Sequence, residues 1–246
     1  MQGIPITETA KPDRSPWPNA RCAARLAFCV AAGLSARGAP AAEWNGYATF
    51  ASDYIFRGVS LVDGLASVQL GVEGRFNDVF VAGAWAGNVT RQWLYDQPVP
   101  GHLELNVYAG TDFACGSICR ARFIVTGYEY PGPGAHDWAE ATGSIALFER
   151  VGASYSWSPH GFGTGNATRT AEAWYVQPLA RATSLGVDGG KIWIGPFDYW
   201  FARAGLSQRV DRWVFDLSHY WSDPKFRQYG FDSHSQRWVI SVSTAF

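Results

Sequence analysis

The sequence has little charge and no long apolar run. Asp, Glu, Lys and Arg make up 17% of the 246 residues, and the formal net charge is −1; ordinary globular domains carry about 25% charged residues. No basic stripe or zinc-finger spacing occurs, which excludes the common nucleic-acid-binding modules, so we expect no nucleic-acid partner. No stretch reaches the roughly 18 consecutive apolar residues of a transmembrane helix.

Motifs for catalysis and for metal binding are also missing. No G-x-S-x-G occurs. Ser218 and His219 are neighbours in an alternating segment, so their side chains point to opposite faces and do not form a nucleophile with its base. There are four cysteines but no C-x-x-C-H, and Cys115 and Cys119 have no nearby histidine or second pair. We therefore expect no catalytic residue, no metal, no cofactor and no enzymatic activity.

The N-terminal 41 residues differ from the rest of the chain. Two arginines precede a short apolar stretch at 26–34, and Ala-Pro-Ala follows at 39–41. A positive flank, a short apolar core and an A-x-A site are typical of a secretory signal peptide. We expect residues 1–41 to be removed on export and 42–246 to form the mature domain; a small N-terminal helix is the alternative.

Cleavage would leave two cysteines, Cys115 and Cys119, in the stretch ACGSIC. An even number of cysteines in an exported chain indicates a disulfide, because the compartment is oxidising. Closing so short a loop removes little chain entropy, so the bond would mainly hold the turn. Two free thiols are the alternative.

Aromatic residues and glycine are abundant, and polarity alternates with a period of two. The chain has 12 Trp, 11 Tyr, 15 Phe and 27 Gly. In residues 101–113, Leu103 and Leu105 fall on one face, whereas Glu104 and Asn106 fall on the other. Such alternation predicts β-strands with one apolar and one polar face.

Twelve segments show this alternation, and each is about eight to fourteen residues long, enough for a tilted strand to cross a bilayer. They lie at 45–58, 66–76, 79–89, 102–113, 120–130, 138–148, 150–157, 168–177, 183–191, 198–208, 212–222 and 236–246. Because 150–157 and 183–191 are weak, ten or fourteen strands also fit the pattern. We predict an all-β fold, a transmembrane antiparallel up-and-down β-barrel of about 12 strands.

The connections between the segments alternate in length. Those after even-numbered segments are tight, whereas most others are longer and rich in Gly, Pro and aromatics, such as 90–101 and IWIGPF at 192–197. Outer-membrane barrels alternate short periplasmic turns with long extracellular loops in this way. A periplasmic β-sandwich is the alternative, but twelve tryptophans, many near strand ends, favour aromatic girdles at membrane interfaces.

The final segment ends on an aromatic residue. Trp238, Ile240, Val242 and Phe246 share one face. An alternating last strand that closes on phenylalanine resembles the signal that outer-membrane proteins present to their assembly machinery. We therefore expect Phe246 to be an assembly signal, the barrel assembly machinery and outer-membrane lipids to be partners, and the location to be the outer membrane of a Gram-negative bacterium.

Four motifs resemble one protein family. They are SDYIFRGVS (52–60), FVAGAWAGNV (80–89), LELNVYAG (103–110) and GYEYPG (127–132). They resemble the TorF family of porin-like bacterial outer-membrane proteins, whose pattern usually has Ser where this chain has Gly87 and Asp where it has Asn106. The resemblance spans nearly all of the mature chain apart from the loops. It implies an outer-membrane β-barrel that acts as a channel.

The polar faces of the segments would line the barrel interior. Alternation places ten charged residues there: Asp53, Arg57, Glu73, Arg75, Glu104, Asp112, Glu140, Glu172, Arg203 and Asp216. Charges in a pore wall set ion selectivity, and the excess of acidic residues, seven to three, predicts a mild preference for cations. Alternatively, the charges pair and fill the interior, as in narrow barrels.

The stretch ASDYIFRGVS (51–60) belongs to the first segment in this interpretation. Asp53 and Arg57 are two strand periods apart, so both would face the lumen, with Tyr54 and Phe56 toward lipid. At about 3.3 Å per residue, the two charges would lie about 13 Å apart, so each needs a partner on another strand. The candidate partners are Glu73 and Arg75.

We expect a channel that passes small hydrophilic solutes or ions by diffusion. Two alternatives stay open. One is a filled barrel with a structural or adhesive role through its extracellular loops, and the other is a transporter for one substrate class. The second loop, residues 90–101, could fold in as a constriction or meet external ligands. The pattern predicts no particular substrate or oligomeric state.

Overall fold

The structure, a computed structural model, describes residues 43–90, 102–132, 137–223 and 236–246. The expected signal peptide (1–41) and nearly all of the second loop (90–101) lie outside these residues, so both stay predictions. In the described part of the chain, no helix is long and apolar enough to cross a membrane.

Twelve antiparallel strands form a closed barrel, which confirms the predicted fold class. In chain order, the strands are β1 (Glu43–Ala51), β2 (Ile55–Phe56), β3 (Val59–Ser60), β4 (Ser67–Phe76), β5 (Phe80–Asn88), β6 (Leu103–Ala114), β7 (Cys119–Glu129), β8 (Trp138–Leu147), β9 (Val151–Ser158), β10 (Thr168–Ala180), β11 (Thr183–Ile194), β12 (Phe197–Val210), β13 (Trp213–Ser222) and β14 (Gln236–Ala245). All except β2 and β3 belong to the barrel, and β1 closes it by pairing with β14. The two weak segments correspond to β9 and β11.

Alternation decides which side chains face outward. In β4, Val68, Leu70 and Val72 are exposed, whereas the intervening residues face the interior. The outward faces of the other barrel strands carry large exposed apolar side chains in the same way. A continuous apolar surface of this kind is what a β-barrel presents to lipid.

Aromatic side chains concentrate at both ends of this outer wall. Those near one end are Trp157, Trp193, Trp200 and Trp238, and those near the other are Trp44, Phe80, Phe113 and Trp213. The two groups match the aromatic girdles that barrels place at membrane–water interfaces.

Short turns lie at one end of the barrel and most longer connections at the other. The short-turn end holds turns 77–79, 115–118, 148–150, 181–182 and 211–212, together with Glu43 and Phe246. We name the opposite end the long-connection end. One prediction for it is wrong: the β11–β12 connection is only residues 195–196, because β11 continues to Ile194 and Gly195, at φ +53°, makes a tight turn.

The first predicted segment, 45–58, is wrong beyond residue 51. β1 ends at Ala51, and residues 52–65, here named the inner hairpin, turn into the barrel through β2 and β3. Backbone hydrogen bonds hold both ends of the inner hairpin. Ser52 N donates to Ile240 O at 2.9 Å, and Thr90 N donates to Leu61 O at 2.8 Å.

Candidate functional site

The inner hairpin turns at Arg57 and Gly58. Phe56 pairs with Val59 across the turn, and the two turn residues have φ values of +48° and +80°. A two-residue turn with positive φ at both positions is type I′, the type that tight hairpins favour, and glycine adopts it without strain. A Cβ atom on Gly58 would lie 2.7 Å from Cβ of Phe201, so the tip of the hairpin touches β12.

The hairpin also reverses the prediction for its aromatic residues. Tyr54 and Phe56, expected to face lipid, pack inside the barrel. Their ring centroids lie 5.4 Å from Trp85 and 6.2 Å from Tyr128, respectively. The period-two argument fails here because it assumes a continuous strand, and the strand has ended before these residues.

Arg57 reaches across the interior to several strands. Its Nη1 and Nη2 atoms donate to Oε2 and Oε1 of Glu140, each at 2.8 Å, and its Nε donates to Glu172 Oε1 at 3.2 Å. The hydroxyl of Tyr199 donates to the carbonyl oxygen of Arg57 at 3.0 Å. These contacts join the hairpin tip to β8, β10 and β12.

Asp53 holds the base of the hairpin. Its carboxylate accepts hydrogen bonds from Ser60 Oγ at 2.6 Å and from Arg237 Nη1 at 2.9 Å. Arg237 lies on β14, so this pair connects the hairpin to the strand that closes the barrel. The predicted partners, Glu73 and Arg75, are wrong: β4 runs antiparallel to β1 and carries both toward the short-turn end.

A hydrophobic core surrounds the hairpin. Its buried members are Val59, Leu61, Val89, Tyr128, Tyr130, Trp138, Phe162, Ile192, Ile194, Tyr199 and Phe201. Tyr128 and Trp138 stack with their ring centroids 3.8 Å apart. Phe162 enters from the β9–β10 connection, and its ring lies 4.7 Å from that of Trp138. The interior of the long-connection end is therefore packed like a protein core.

Burial and charge act together on two groups of the hairpin. Burial alone lowers the pKa of Arg57, but the charges of Glu140 and Glu172 together with the hydrogen bonding to Glu140 outweigh burial, so the pKa rises above its usual value. Burial raises the pKa of Tyr54 well above its usual value, and the charge of Glu104 raises it further. Arg57 therefore stays charged and Tyr54 stays neutral near neutral pH.

Charged side chains at the short-turn end form a second network. Asp112 accepts hydrogen bonds from Arg75 Nη2 at 2.8 Å and from Arg120 Nε at 2.6 Å. Arg122 lies 3.5 Å from the same carboxylate and donates to Glu73. The side chains of Arg75, Arg120 and Arg122 are 22%, 53% and 34% exposed. Solvent therefore reaches this network.

The remaining predicted residues lie between the two networks or beside the hairpin. Arg203 Nε donates to Asp188 Oδ1 at 2.6 Å, and Asp216 accepts from Ser207 Oγ at 2.7 Å. Glu104 is buried and accepts from Asn106 Nδ2 at 2.8 Å. A cavity of about 300 Å³ beside the pair of Arg203 and Asp188 is lined in part by these two residues, Glu172 and Trp174.

Among the described residues that form ion pairs inside the barrel, four were missed by the sequence analysis: Arg120, Arg122, Asp188 and Arg237. Adding one acidic and three basic residues changes the predicted seven acidic and three basic residues to eight and six. The alternation of polar and apolar residues could have identified two of these residues. Arg120 and Arg122 share a strand face with Tyr128, opposite Phe123 and Val125.

The two cysteines form a disulfide in the β6–β7 turn. Cys115 N also donates to Cys119 O at 2.9 Å. The turn borders a cavity of about 1000 Å³ at the short-turn end, which Arg120 and Phe148 also line.

Three further residues that the sequence patterns singled out lie on or near β13 and β14. Ser218 donates to Asp216 inside the barrel, whereas the His219 ring stacks on Trp238 outside, with centroids 4.6 Å apart. Phe246 exchanges backbone hydrogen bonds with Gly46 at 2.8 and 2.9 Å, and its role as an assembly signal stays a prediction. Within the described ranges, no group of three or more His, Cys, Asp or Glu side chains is placed to hold a metal ion.

Solved porin structures share this fold. The KdgM porin matches with a TM-score of 0.51 and 9% identity, covering 83% of this chain and 99% of that chain. The NanC porin matches with a TM-score of 0.54 and 7% identity, covering 82% and 99%. A second KdgM structure, in complex with disordered oligogalacturonate, matches with a TM-score of 0.50 and 10% identity, covering 83% and 99%. At these identities the likeness concerns the fold alone.

Sequence comparison points to a family whose function is not known. No curated protein matches the chain significantly. A family model described as "Bacterial protein of unknown function (Gcw_chp)" matches residues 36–246, which includes every described strand of the barrel. The chain therefore belongs to the Gcw_chp family of bacterial proteins.

Proposed function

We propose that this protein is a porin-like channel of the bacterial outer membrane that passes small hydrophilic solutes or ions by diffusion. The observation that carries the proposal is a closed barrel with an apolar outer wall and an interior lined by paired charges and hydroxyl groups. Such an outer wall suits lipid, and such an interior suits water. The fold shared with the KdgM and NanC porins supports the proposal.

The same proposal assigns a location and an orientation. The short turns and the chain termini would face the periplasm, and the long connections would face the cell exterior. Residues 1–41 would be the export signal, and Phe246 would present the last strand to the barrel assembly machinery. The four motifs that resemble the TorF family support this location. The proposal includes no enzymatic activity.

In the proposed channel, the inner hairpin sets the narrowest point. Arg57 and the core around it occupy the long-connection end, whereas the charged network around Asp112 is open to solvent. A solute would therefore pass along the polar inner wall beside the hairpin, and the hairpin's position would set the conductance. Tight docking of the hairpin predicts a small channel.

The interior charges favour cations only mildly. Among the described residues counted above, eight are acidic and six are basic, and most of them pair with one another, which weakens the field along the pore. This balance does not favour a polyanionic solute. We therefore do not propose that this chain binds oligogalacturonate, which is present in one KdgM structure.

The second candidate function is that of a filled barrel that acts through its extracellular loops. The observation that favours it is the buried core inside the long-connection end, where Leu61 and Val62 are almost completely inaccessible. A transporter for one solute class is the third alternative, and its current would be blocked by that solute.

Planar-bilayer recording separates these functions. We expect small, stable conductance steps for the wild type and larger steps for Arg57→Ala, because the hairpin tip loses both carboxylate partners. Arg212→Ala is the matched control: it removes one positive charge from an exposed short turn and should leave the steps unchanged. Absence of steps in both the wild type and Arg57→Ala would refute the channel and support the filled barrel.

The location has its own test. A folded outer-membrane barrel migrates differently in a gel before and after heating, and it fractionates with the outer membrane. Recovery of the protein in the soluble periplasmic fraction, without a heat-dependent shift, would contradict the location.

A further inference from the structure

The outer wall carries two cations side by side near the long-connection end. Arg169 is the second residue of β10, and Lys191 lies three residues before the end of β11. Both side chains are exposed, and both alternate with buried residues, Thr168 and Thr170 on β10 and Ile192 on β11. Their side chains therefore point away from the barrel interior.

No other arginine or lysine occupies an outward position on the described barrel strands. The remaining strand arginines with ion pairs, such as Arg75 and Arg203, make those pairs inside the barrel. An arginine or lysine on the lipid face is strongly unfavourable at the bilayer midplane and costs little at the interface. Two cations placed together on this wall therefore indicate an interfacial position and an anionic partner there.

Arg169 and Lys191 are diagonal neighbours across the β10–β11 pair. Arg169 pairs with Trp193, and Lys191 pairs with Ala171, so the two lie about 7–8 Å apart. At that spacing, both side chains can reach a single headgroup. The patch that they form with their tryptophan neighbours is here named the outer-wall patch; its members are Trp157, Arg169, Lys191, Trp193 and Trp200.

The cations of the outer-wall patch are only partly neutralised. Lys191 Nζ lies 2.9 Å from Asp198 Oδ2, but both side chains are nearly half exposed, so the pair is weak. Arg169 makes no ion pair or side-chain hydrogen bond with any residue that the structure describes. Its guanidinium group is free to bind a phosphate through two parallel N–H donors.

The tryptophans place the patch at the level of lipid headgroups. Trp157 and Trp193 flank Arg169 in the register of β9, β10 and β11, and Trp200 pairs with Lys191. All three are exposed, and Lys191 Nζ lies 5.6 Å from the Trp193 ring centroid. Tryptophan prefers the membrane–water interface, so the rings would contact the upper acyl chains while the cations meet the headgroup.

We propose that the outer-wall patch binds a phosphorylated lipid headgroup of the outer leaflet, with Arg169 as the main phosphate ligand and Lys191 as the second. This inference goes beyond the channel and rests only on the proposed outer-membrane location. The apolar setting of the patch selects a lipid over a soluble anion, because the acyl chains can lie along the exposed wall below the two cations.

Native mass spectrometry of the detergent-solubilised barrel, titrated with bisphosphorylated lipid A, tests the proposal. We expect the wild type to bind lipid A. The variant with both Arg169→Gln and Lys191→Gln should bind it roughly twenty-five-fold more weakly, since each cation removed weakens binding about fivefold. Arg169→Lys with Lys191→Arg should retain most of the affinity. The matched control is Arg181→Gln with Arg212→Gln, which removes the same charge from exposed short turns and should bind like the wild type.

Dephosphorylated lipid A supplies a test that needs no variant. The wild type should bind it as weakly as the double glutamine variant binds the phosphorylated form. Equal binding of both lipids by the wild type, or unchanged binding in the double glutamine variant, would overturn the proposal. The heat-dependent gel shift identifies a variant that has not folded. Lipid binding is measured directly and does not depend on conductance. Absence of conductance would therefore contradict the proposed channel without affecting the test of lipid binding.

Discussion

The two ends of the barrel interior contain the same kinds of ion pair in different surroundings. At the long-connection end, the side chains of Arg57 and Glu140 are 7% and 3% exposed and lie within a hydrophobic core. At the short-turn end, Arg120 is 53% exposed although its partner, Asp112, is buried. The inner hairpin and its core shield the ion pair of Arg57 and Glu140 from water, so the contacts there should carry much more energy than those around Asp112.

The comparison shows how one strand pattern produces two interiors. Alternation points a polar face inward at both ends. At the long-connection end, the hairpin and Phe162 cover that face with apolar groups, and at the short-turn end nothing comparable is present among the described residues. Removing one partner of a buried ion pair is expensive, whereas exposed pairs contribute little.

The largest effect is expected at Arg57. Arg57→Ala leaves the carboxylate of Glu140 buried without its partner, so we expect a loss of about 3–5 kcal/mol in the free energy of unfolding. A guanidinium titration of the barrel in lipid vesicles measures it. The control, Arg57→Met with Glu140→Gln, removes both charges and should cost less. A loss below about 1 kcal/mol for Arg57→Ala would mean that water already reaches this pair.

The next effect is expected at Asp112, the shared partner of three arginines. Asp112→Asn weakens hydrogen bonds to charged groups, and we expect a loss of about 1.5–3 kcal/mol. In a salt gradient, the reversal potential should also move toward anion preference, because three guanidinium groups lose their common counter-charge. Asp216→Asn is the matched control: it removes the same charge where two serines, Ser207 and Ser218, are the donors. Equal shifts of the reversal potential in the two variants would contradict a special role for Asp112 and its three arginines.

A smaller effect is expected for the disulfide at the short-turn end. Replacing Cys115 and Cys119 by serine opens a loop of only a few residues, which by the chain-entropy relation costs up to about 2 kcal/mol. Reduction of the wild-type protein should reproduce the effect of the double variant. A loss of unfolding free energy as large as that of Arg57→Ala would show that the contacts at the short-turn end stabilise the barrel as much as those at the long-connection end.

The smallest effect is expected at Glu73. Its partner, Arg122, also contacts Asp112, and the two paired side chains are 25% and 34% exposed. We therefore expect Glu73→Gln to cost less than about 1 kcal/mol in the same titration. Since the substitution keeps the side chain's shape, a loss of several kcal/mol would show that the short-turn end also excludes water.

Much of the barrel could be predicted because the relevant signal is local. Whether Val68 or Gln69 faces outward depends on strand periodicity alone, and a closed barrel of tilted strands needs only repeated segments of sufficient length. The same rule would have placed Arg120 and Arg122 inside, and it places His219 opposite Ser218. The errors arose where a strand ended earlier or later than its polarity pattern, at Ala51 and Ile194.

The sequence by itself determined the barrel strands and which of their side chains face outward, since both depend on neighbouring residues. The tertiary structure alone decided that the chain turns at Arg57 and Gly58, that this turn enters the barrel and which residues receive it. Arg57 meets Glu140 across 83 residues and Glu172 across 115, and such partners are chosen only when the closed barrel brings β8 and β10 around the hairpin. For the same reason, alternation located many of the interior charges, but only the closed barrel showed which ion pairs are buried and which are exposed to solvent.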